Sequence, residues 1–199
     1  VATGAHPKRL GVQGEERLTG KGVSYCGTCD GPFFRNKDII VVGGGDRALE
    51  EALFLTGYAA KVYVVHRRSA FRASKIVEEK AKAHPKISLI LDSVLEEIKG
   101  EMKVEGVTVR NVVTGNLIDI TCQGVFVFIG INPNTYFLKN SLEIDEAGFI
   151  ITQSVVQTSL PGIFACGDCC RKSLYQVVTA CGEGAAAADA AYKYIVVRG

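Results

Sequence analysis

The chain has 199 residues, of which 47% are hydrophobic and 22% are charged, and its formal net charge at pH 7 is +2. This composition is typical of one large or two small globular domains, and the lack of like-charge runs or basic patches argues against a nucleic acid partner. The longest apolar stretch, residues 124–131, is too short to span a bilayer, and the first ten residues carry no signal-peptide segment, so we predict a cytoplasmic protein without a membrane partner.

The N-terminal part of the chain is predicted to be irregular. Residues 1–4 resemble the end of a buried strand that enters a turn. Residues 5–23 contain four glycines and one proline with little periodicity, which predicts an extended connection. A connection this close to the start indicates that a further segment lies upstream.

Cys26 and Cys29 are separated by two small residues, a spacing that allows a readily reduced disulfide. Asp30 adjoins the second thiol and could take up or deliver a proton during dithiol chemistry. The residues after Asp30 could form a short helical turn. The pattern therefore predicts a redox-active disulfide with Cys26, Cys29 and Asp30 as its catalytic residues.

Two other interpretations of this CxxC pair stay open, namely half of a zinc site and an inert pair of buried cysteines. A structural zinc site needs a second ligand pair about 12 to 20 residues away. The other CxxC, Cys166 to Cys169, lies far along the chain, so we predict no metal site. The seven cysteines form an odd set within an α/β pattern, which favours one redox pair and five free thiols.

A glycine turn follows the CxxC, between an apolar strand predicted over residues 38–42 and a helix predicted over residues 47–56. In this GxGxxA pattern Gly43 allows the tight turn, Gly45 lets a pyrophosphate approach the backbone, and Ala48 lets helix and strand pack closely. The helix would point its N-terminal amides at the phosphates. The pattern predicts a Rossmann-like βαβ unit that binds a dinucleotide.

A second apolar strand, residues 61–65, closes this unit, and an NAD-binding protein would carry an acidic residue at its end. The chain instead continues with three basic residues and a further arginine. Guanidinium groups pair with a 2′-phosphate, which favours NADPH over NADH, although a solvated basic turn is the alternative. The predicted NADPH contacts are Gly43, Gly45, Asp46, Arg47, Ala48, His66, Arg67, Arg68 and Arg72.

Short strands and helices are predicted for the remaining chain. A helix over residues 74–84 has Ser74 as its N-cap. Four alternating segments would form an antiparallel meander, over residues 87–91, 94–98, 103–109 and 117–121. The last predicted elements are a strand over 124–130 that returns to the parallel sheet, a strand over 162–166, and a helix over 174–194 whose alanines pack closely on a sheet.

Five segments resemble, in this order, the low-molecular-weight thioredoxin reductases: CGTCDG, GGGDRALEEALFL, VVHRRSAFRASK, FIGINPNT and GIFACGDCCRKSLYQVVTACGEGAAAA. The resemblance covers nearly the whole chain. It implies a two-domain α/β flavoenzyme in which NADPH reduces FAD, the flavin reduces the Cys26–Cys29 disulfide, and the dithiol reduces thioredoxin. It also implies a homodimer, the usual state of these relatives.

The resemblance assigns roles to individual residues. Cys29 would face the flavin, Cys26 would attack the thioredoxin disulfide, and Asp30 would be the acid–base group. Gly167 and Asp168 would bind the ribityl chain, and the helix N-terminus near Gln176 would face the flavin pyrimidine edge. The full set of implied FAD contacts is Thr3, Gly4, Gly167, Asp168, Gln176 and Val177.

Several features depart from the family pattern. Arg47 stands where a serine is common, and Tyr175 precedes Gln176 where an arginine is usual. The extra thiols are predicted to be small core residues: Cys166, Cys169, Cys170 and Cys181. The largest departure is a single dinucleotide fingerprint where such enzymes carry two, so the first part of the FAD domain is expected to be missing.

We therefore predict an NADPH-binding domain over residues 9–130, which carries the CxxC and an antiparallel meander insert. It would be inserted into an incomplete FAD-binding domain of the same general type, formed by residues 1–8 and 131–199. Two alternatives stay open for the function. The chain could be an NADPH-binding fragment without turnover, or part of the flavoprotein of an alkyl hydroperoxide reductase, which uses the same core.

Overall fold

A computed structural model describes residues 1–198 of the chain. These divide into two compact units, the central unit (Lys8–Gly130) and the split unit, which combines Val1–Pro7 with the chain from Ile131 onward. In chain order the elements are β1 (Ala5–Pro7), α1 (Glu15–Leu18), β2 (Val23–Ser24), α2 (Gly27–Asp30), β3 (Asp38–Val42), α3 (Asp46–Leu55), β4 (Lys61–Val65), α4 (Lys75–Ala83), β5 (Ile87–Ile90), β6 (Ser93–Lys99), β7 (Gly106–Asn111), β8 (Leu117–Thr121), β9 (Gly124–Val127), β10 (Ile131–Pro133) and α5 (Val177–Arg198).

A five-stranded parallel sheet in the order β2-β9-β3-β4-β5 forms the middle of the central unit. Side chains on a strand alternate between the two faces. In β3, Ile39 and Val41 join one buried cluster while Ile40 and Val42 join another. Both faces of the sheet are therefore covered, which explains why β3 is apolar from Ile39 to Val42.

Helix α3 covers the face of the sheet that carries Ile39 and Val41. Its residues Leu49 and Leu55 are fully buried in the same cluster. Complete burial of a leucine stabilises a fold by about 1.5–3 kcal/mol, so these contacts hold α3 against this face of the sheet along its length.

The antiparallel meander β6-β7-β8 covers the other face, with Leu95, Ile98 and Val107 in the cluster of Ile40 and Val42. The predicted meander is thus confirmed for three of its strands, although β7 begins at Gly106 because the preceding residues form a turn closed by the Glu105 amide on the Lys99 carbonyl (2.9 Å).

The prediction that residues 87–91 belong to that meander is wrong, because Ile87–Ile90 form β5 of the parallel sheet. Its residues pair in parallel with β4, from Val62 opposite Ile87 to Val65 opposite Ile90. Helix α4 lies between the two strands in sequence, and such a crossover returns the chain to the same sheet. Alternation of apolar and polar residues identifies a strand but does not specify its partner.

The predicted extended connection over residues 5–23 is also wrong, because it contains β1, α1 and β2. The buried Glu15 organises this segment. Its carboxylate accepts hydrogen bonds from the Leu10 amide (2.9 Å), the Gly11 amide (2.7 Å) and the Tyr25 hydroxyl (2.8 Å). Hydrogen bonds to a buried carboxylate order this segment, and such bonds leave no periodic pattern of apolar residues in the sequence.

The split unit has a small core of Leu142, Ile150, Ala165, Cys169 and Cys170. Strand β1 pairs with β10 in antiparallel fashion. Residues 1–4 belong to no strand, contrary to the prediction, but the Val1 amine donates to the Phe164 carbonyl (2.6 Å) and the Cys166 amide donates to the Val1 carbonyl (2.9 Å). These bonds hold the start of the chain beside Cys166.

Three further expectations for the split unit are wrong. Residues 162–166 form no strand, and Phe164 makes an isolated bridge to Gln157. In α5 the alanines at 185–191 are half-buried or exposed, so they do not pack closely on a sheet. Cys181, also on α5, is exposed and is not a core residue.

Among residues 1–198, no helix is long and apolar enough to cross a membrane.

Candidate functional site

Cys26 and Cys29 form a disulfide at the start of α2. Cys26 is the N-cap of this helical turn, and its sulfur accepts a hydrogen bond from the Cys29 amide (3.1 Å). Cys29 is exposed, whereas Cys26 is half-buried. The predicted turn after Asp30 is present as a 3₁₀ segment over Gly31–Phe34.

Ser24 connects Asp30 to the disulfide. Its hydroxyl donates to Asp30 Oδ2 (2.6 Å) and accepts from the Cys26 amide (3.1 Å). Ser24 ends β2 and is buried, so the parallel sheet fixes the position of this hydroxyl. Sequence reasoning gave Ser24 no role, although its place between a strand and the CxxC could have suggested one.

The glycine turn between β3 and α3 is built by close contacts. A Cβ on Gly43 would lie 2.5 Å from Ala48 Cβ and 2.6 Å from the Phe128 carbonyl oxygen. A Cβ on Gly45 would meet no atom within 4 Å, so the space above this residue is open. The turn therefore has one glycine that packing requires and one that leaves room for a group approaching the backbone.

The first residues of α3 have partners of their own. Asp46 Oδ1 accepts from the Ser74 amide (2.8 Å), which lowers the pKa of this exposed carboxyl, and so joins the start of α3 to the start of α4. The Arg47 guanidinium lies 5.8 Å from the centre of the Phe128 ring. Both side chains are exposed beside the open space at Gly45.

His66 lies beneath this turn and is buried. Its ring stacks on Phe71 with centroids 5.1 Å apart, and its Nε2 lies 3.1 Å from the Ala70 carbonyl oxygen. Burial lowers the pKa of the imidazole below its ordinary value of 6.5. A Cβ on Gly44 would lie 2.1 Å from this ring, so Gly44, which sequence reasoning passed over, is required by His66.

Three of the four predicted arginines, Arg67, Arg68 and Arg72, are exposed at the edge of the same turn. The Arg72 amide donates to the Gly44 carbonyl (2.8 Å), which fixes Arg72 beside the glycines. Within residues 1–198, no carboxylate forms an ion pair with Arg67, Arg68 or Arg72. Their guanidinium groups are available to an anion, as a 2′-phosphate site requires.

Asp168 is the most notable residue of the predicted flavin site. Its Oδ1 is buried and has no hydrogen-bond partner among the described residues. The neighbouring Gly167 amide donates to Glu183 Oε2 on α5 (2.8 Å), and Glu183 also pairs with Lys172. An orphaned acceptor of this kind fits a hydroxyl-bearing ligand such as a ribityl chain.

The remaining predicted flavin contacts lie in the same unit. The carbonyls of Thr3 and Gly4 accept from the Asn134 side chain (2.8 Å) and amide (3.0 Å). Gln176 immediately precedes α5, and Val177 begins it. Hydrogen bonds from Cys170 and from the backbone of Thr3 and Gly4 lower the pKa of Cys169. Of the extra thiols, Cys169 and Cys170 are buried as predicted and Cys166 is half-buried.

The second CxxC pair, Cys166 and Cys169, lies in the split unit. Residues 1–198 contain no group of three or more His, Cys, Asp or Glu side chains placed to hold a metal ion. The Cys166–Cys169 spacing instead places the Cys169 thiol 3.2 Å from the Cys166 carbonyl, inside the small core.

Comparison with known proteins gives a consistent set of relatives. Residues 1–184 match the pyridine nucleotide-disulphide oxidoreductase family. The thioredoxin reductase of Peptoclostridium acidaminophilum is 48% identical over 98% of this chain and 64% of its own length. That of Listeria monocytogenes serovar 1/2a is 46% identical, with 98% and 61% covered.

Solved structures agree with the sequence relatives. The crystal structure of thioredoxin reductase from Streptococcus pyogenes MGAS5005 has a TM-score of 0.93 and 50% identity, over 98% of this chain and 64% of that one. A thioredoxin reductase from Giardia duodenalis has a TM-score of 0.93 and 41% identity, with the same coverage. This chain thus spans less than two thirds of the length of these relatives.

Proposed function

The chain belongs to the pyridine nucleotide-disulphide oxidoreductase family, and on this basis we propose that it carries electrons from NADPH, through FAD, to the Cys26–Cys29 disulfide and on to thioredoxin. The observation that supports this most directly is a disulfide in the same compact unit as a glycine turn flanked by arginines that pair with no carboxylate among the described residues. The relatives named thioredoxin reductase supply the substrate class.

The central unit would be the NADPH-binding domain. NADPH would supply a hydride and FAD would relay its electron pair. Arg67, Arg68 and Arg72 would pair with the 2′-phosphate, and the open face of Gly45 at the N-terminus of α3 would receive the pyrophosphate. Asp46, Arg47 and the buried His66 would keep this turn in place.

The split unit would form part of an FAD domain. Asp168 Oδ1 would accept a hydrogen bond from a ribityl hydroxyl, which satisfies its buried acceptor. Gly167, held by Glu183, would fix the direction of the Asp168 side chain. Thr3, Gly4, Gln176 and Val177 would line the rest of this site.

The chain's own redox step is confined to the disulfide. Reduction breaks the bond between Cys26 and Cys29 and adds two electrons and two protons, which leaves two thiols. Asp30, oriented by Ser24, would hold the proton that one sulfur gains or loses. By the family resemblance, Cys29 would accept electrons and Cys26 would then attack the disulfide of thioredoxin, giving a mixed disulfide that Cys29 resolves.

We further propose, from the family resemblance, that the protein is a homodimer, and that it acts in the cytoplasm. Five cysteines among the described residues are free, including the exposed Cys181. Free exposed thiols persist in a reducing compartment, where a thioredoxin-directed enzyme would also find its partner.

The test uses the full-length product of the gene, purified with its flavin. Anaerobic NADPH should bleach the flavin absorbance, and NADPH with thioredoxin should reduce insulin disulfides. Cys29→Ser should retain flavin bleaching and lose thioredoxin reduction. A full-length protein that never binds flavin, or that reduces thioredoxin equally well without Cys29, would refute the proposal.

NADPH binding without turnover is the narrower function for the 199-residue chain, since the glycine turn and its arginines lie within the central unit. Titration of this chain with NADPH and NADH tests it. Preferential binding of NADPH is expected, and equal binding of both nucleotides would contradict it.

A further inference from the structure

Helix α2, which carries the disulfide, and Gly31 directly after it pack on α3 through two glycines. A Cβ on Gly31 would lie 2.9 Å from the Leu55 side chain, and a Cβ on Gly27 would lie 2.1 Å from Glu51 Oε2. The two glycines are four residues apart, as are Leu55 and Glu51, so one helical face of α3 meets one side of the CxxC turn. Leu55 is an ordinary core residue at such a contact, whereas Glu51 is a carboxyl.

The Glu51 carboxyl packs against Gly27, but one of its oxygens lacks a hydrogen bond. Oε2 is buried and finds no hydrogen-bond partner among residues 1–198. Gly27, which it contacts, is buried and lies between the two cysteines. An apolar side chain would fill this space without the desolvation cost of a carboxyl, so the carboxyl itself calls for an explanation.

Few charged groups affect the pKa of Glu51. On its own helix they are Arg47, one turn earlier, and Glu50. The Phe128 ring borders the same space, 3.6 Å from the position of a Gly27 Cβ. Helix α2 contributes one carboxylate, Asp30, which is bound by Ser24. Burial is the main reason why the pKa of Glu51 is raised, so the carboxyl can change its charge nearer to neutral pH than an exposed one.

We propose that Glu51 is a positioning residue of the Cys26–Cys29 centre, whose carboxyl, held against Gly27, sets the charge beneath the pair and thereby tunes how readily the thiols ionise and reoxidise. Ionised Glu51 would oppose formation of a thiolate in the turn above it, and neutral Glu51 would permit it. The two groups then titrate as a coupled set. This inference rests on the proposed redox role of the cysteine pair.

The test measures thiol chemistry in the 199-residue chain, reduced and freed of reductant. The rate of iodoacetamide alkylation of Cys26 and Cys29 is followed from pH 5 to 9 by peptide mass spectrometry, which separates them from the five other thiols. Glu51→Gln keeps the shape of the side chain and removes its charge. It should speed alkylation at pH 7.5 by about threefold or more and shift the profile to lower pH.

The matched control is Glu50→Gln, which removes an exposed carboxylate from the same helix. It should leave the rates within about twofold of the unsubstituted chain because solvent screens exposed charges. Equal rates for Glu51→Gln, Glu50→Gln and the unsubstituted chain would overturn the proposal, and so would slower alkylation of Glu51→Gln.

Gly27→Ala is an independent variant that keeps Glu51 but displaces it. The new methyl group would meet the flexible end of the Glu51 side chain and push the carboxyl away from the turn. It should shift the alkylation profile in the same direction as Glu51→Gln, and the double variant should show less than the sum of the two shifts. An unchanged profile in Gly27→Ala would count against the positional role.

Equilibration with reduced and oxidised glutathione gives a second readout. A more acidic thiol pair favours the dithiol state, so Glu51→Gln should raise the reduced fraction at pH 7.5 and Glu50→Gln should not. Neither readout uses flavin, nicotinamide or thioredoxin. Failure of this inference is therefore distinguishable from failure of the proposed electron transfer, which the full-length flavoprotein tests.

Discussion

At the residue scale, the structure separates exposed side chains near the glycine turn from buried side chains that hold its backbone. The sequence groups His66 with Arg67 and Arg68 as one basic motif. In the structure His66 is buried against Gly44 and Phe71, while the two arginines are exposed. We therefore infer that the arginines supply charge to a 2′-phosphate and that His66 supplies shape.

Removal of the paired arginines should reduce NADPH affinity selectively. In Arg67→Ala/Arg68→Ala, two exposed cations that pair with no carboxylate among the described residues are lost, and binding of NADPH to the chain should fall about tenfold or more. NADH has no 2′-phosphate, so its binding should change little. Calorimetric titration measures both, and Lys80→Ala on the exposed side of α4 is the control. Equal losses for both nucleotides would show that the arginines do not recognise the 2′-phosphate.

The buried His66 should make stability depend on pH. Its pKa is lowered in the folded chain, mainly by burial, so below about pH 6.5 the unfolded state binds more protons than the folded state. The contribution of neutral His66 to stability is present above about pH 6.5 and is lost as the pH falls below it. The urea midpoint should therefore decrease between pH 7 and pH 5.5.

His66→Gln should flatten this dependence, since glutamine keeps a hydrogen-bond donor for the Ala70 carbonyl but does not titrate. His6→Gln, which changes an exposed histidine, should keep the original dependence. If both variants retain the same decrease in urea midpoint, another group is responsible.

At the element scale, the turn before α3 combines a packing requirement with an open space. Gly43→Ala should destabilise the chain by about 1–3 kcal/mol, because its methyl group would lie against Ala48 and the Phe128 carbonyl, both held by the core. Urea unfolding measures this change. A midpoint equal to that of the unsubstituted chain would mean that the turn can relax.

Gly45→Ala is the matched opposite. Its methyl group would enter empty space, and the residue has an extended backbone with φ −102°, which alanine adopts freely. The free energy of unfolding, measured in urea, should change by less than about 0.5 kcal/mol. NADPH binding should fall at least about tenfold, because the methyl group occupies the approach to the backbone. Unchanged NADPH binding would place the pyrophosphate elsewhere.

The same element shows what the sequence can specify. The predicted bounds of β3 and β4 match the observed ones, and those of α3 are shifted by one residue. The glycine turn marks where β3 ends and where α3 begins, so local chemistry is enough to place these two boundaries. The sequence pattern predicts the wrong sheet for β5, because its pairing depends on the crossover by α4 and not on local pattern. The segment over residues 162–166 is apolar, yet an apolar run forms a strand only where a partner offers hydrogen bonds along it.

The candidate site follows the same rule. Cys26, Cys29, Gly43 and Gly45 were identifiable because their spacing alone expresses a chemical need. Ser24 and Glu51 were not, since a serine after a strand or a glutamate on a helix is usually a solvated side chain. Only the packing of α2 on α3 and the position of β2 bring these two groups to the cysteine pair.

At the scale of the whole molecule, the two units differ in the size of their cores. The central unit has two buried clusters, one on each face of its sheet, whereas the split unit has one cluster of five residues. In α5 of the split unit, Val177, Val178, Tyr192 and Ile195 are all exposed. Hydrophobic burial is the main favourable term in folding, so the split unit should be the less stable of the two.

The chain carries its own reporters for this difference. Cys122 is fully buried in the central unit, where burial raises its pKa to about 12, and Cys169 is fully buried in the split unit. Each should react with N-ethylmaleimide only after its unit opens. With the disulfide kept oxidised, labelling at increasing urea and peptide mass spectrometry should give a midpoint for Cys169 at least about 1 M below that of Cys122. The exposed Cys181 should react without urea. A common midpoint for Cys122 and Cys169 would contradict this prediction and would instead mean that both units unfold in one cooperative transition, so that the difference in core size does not give them separate stabilities.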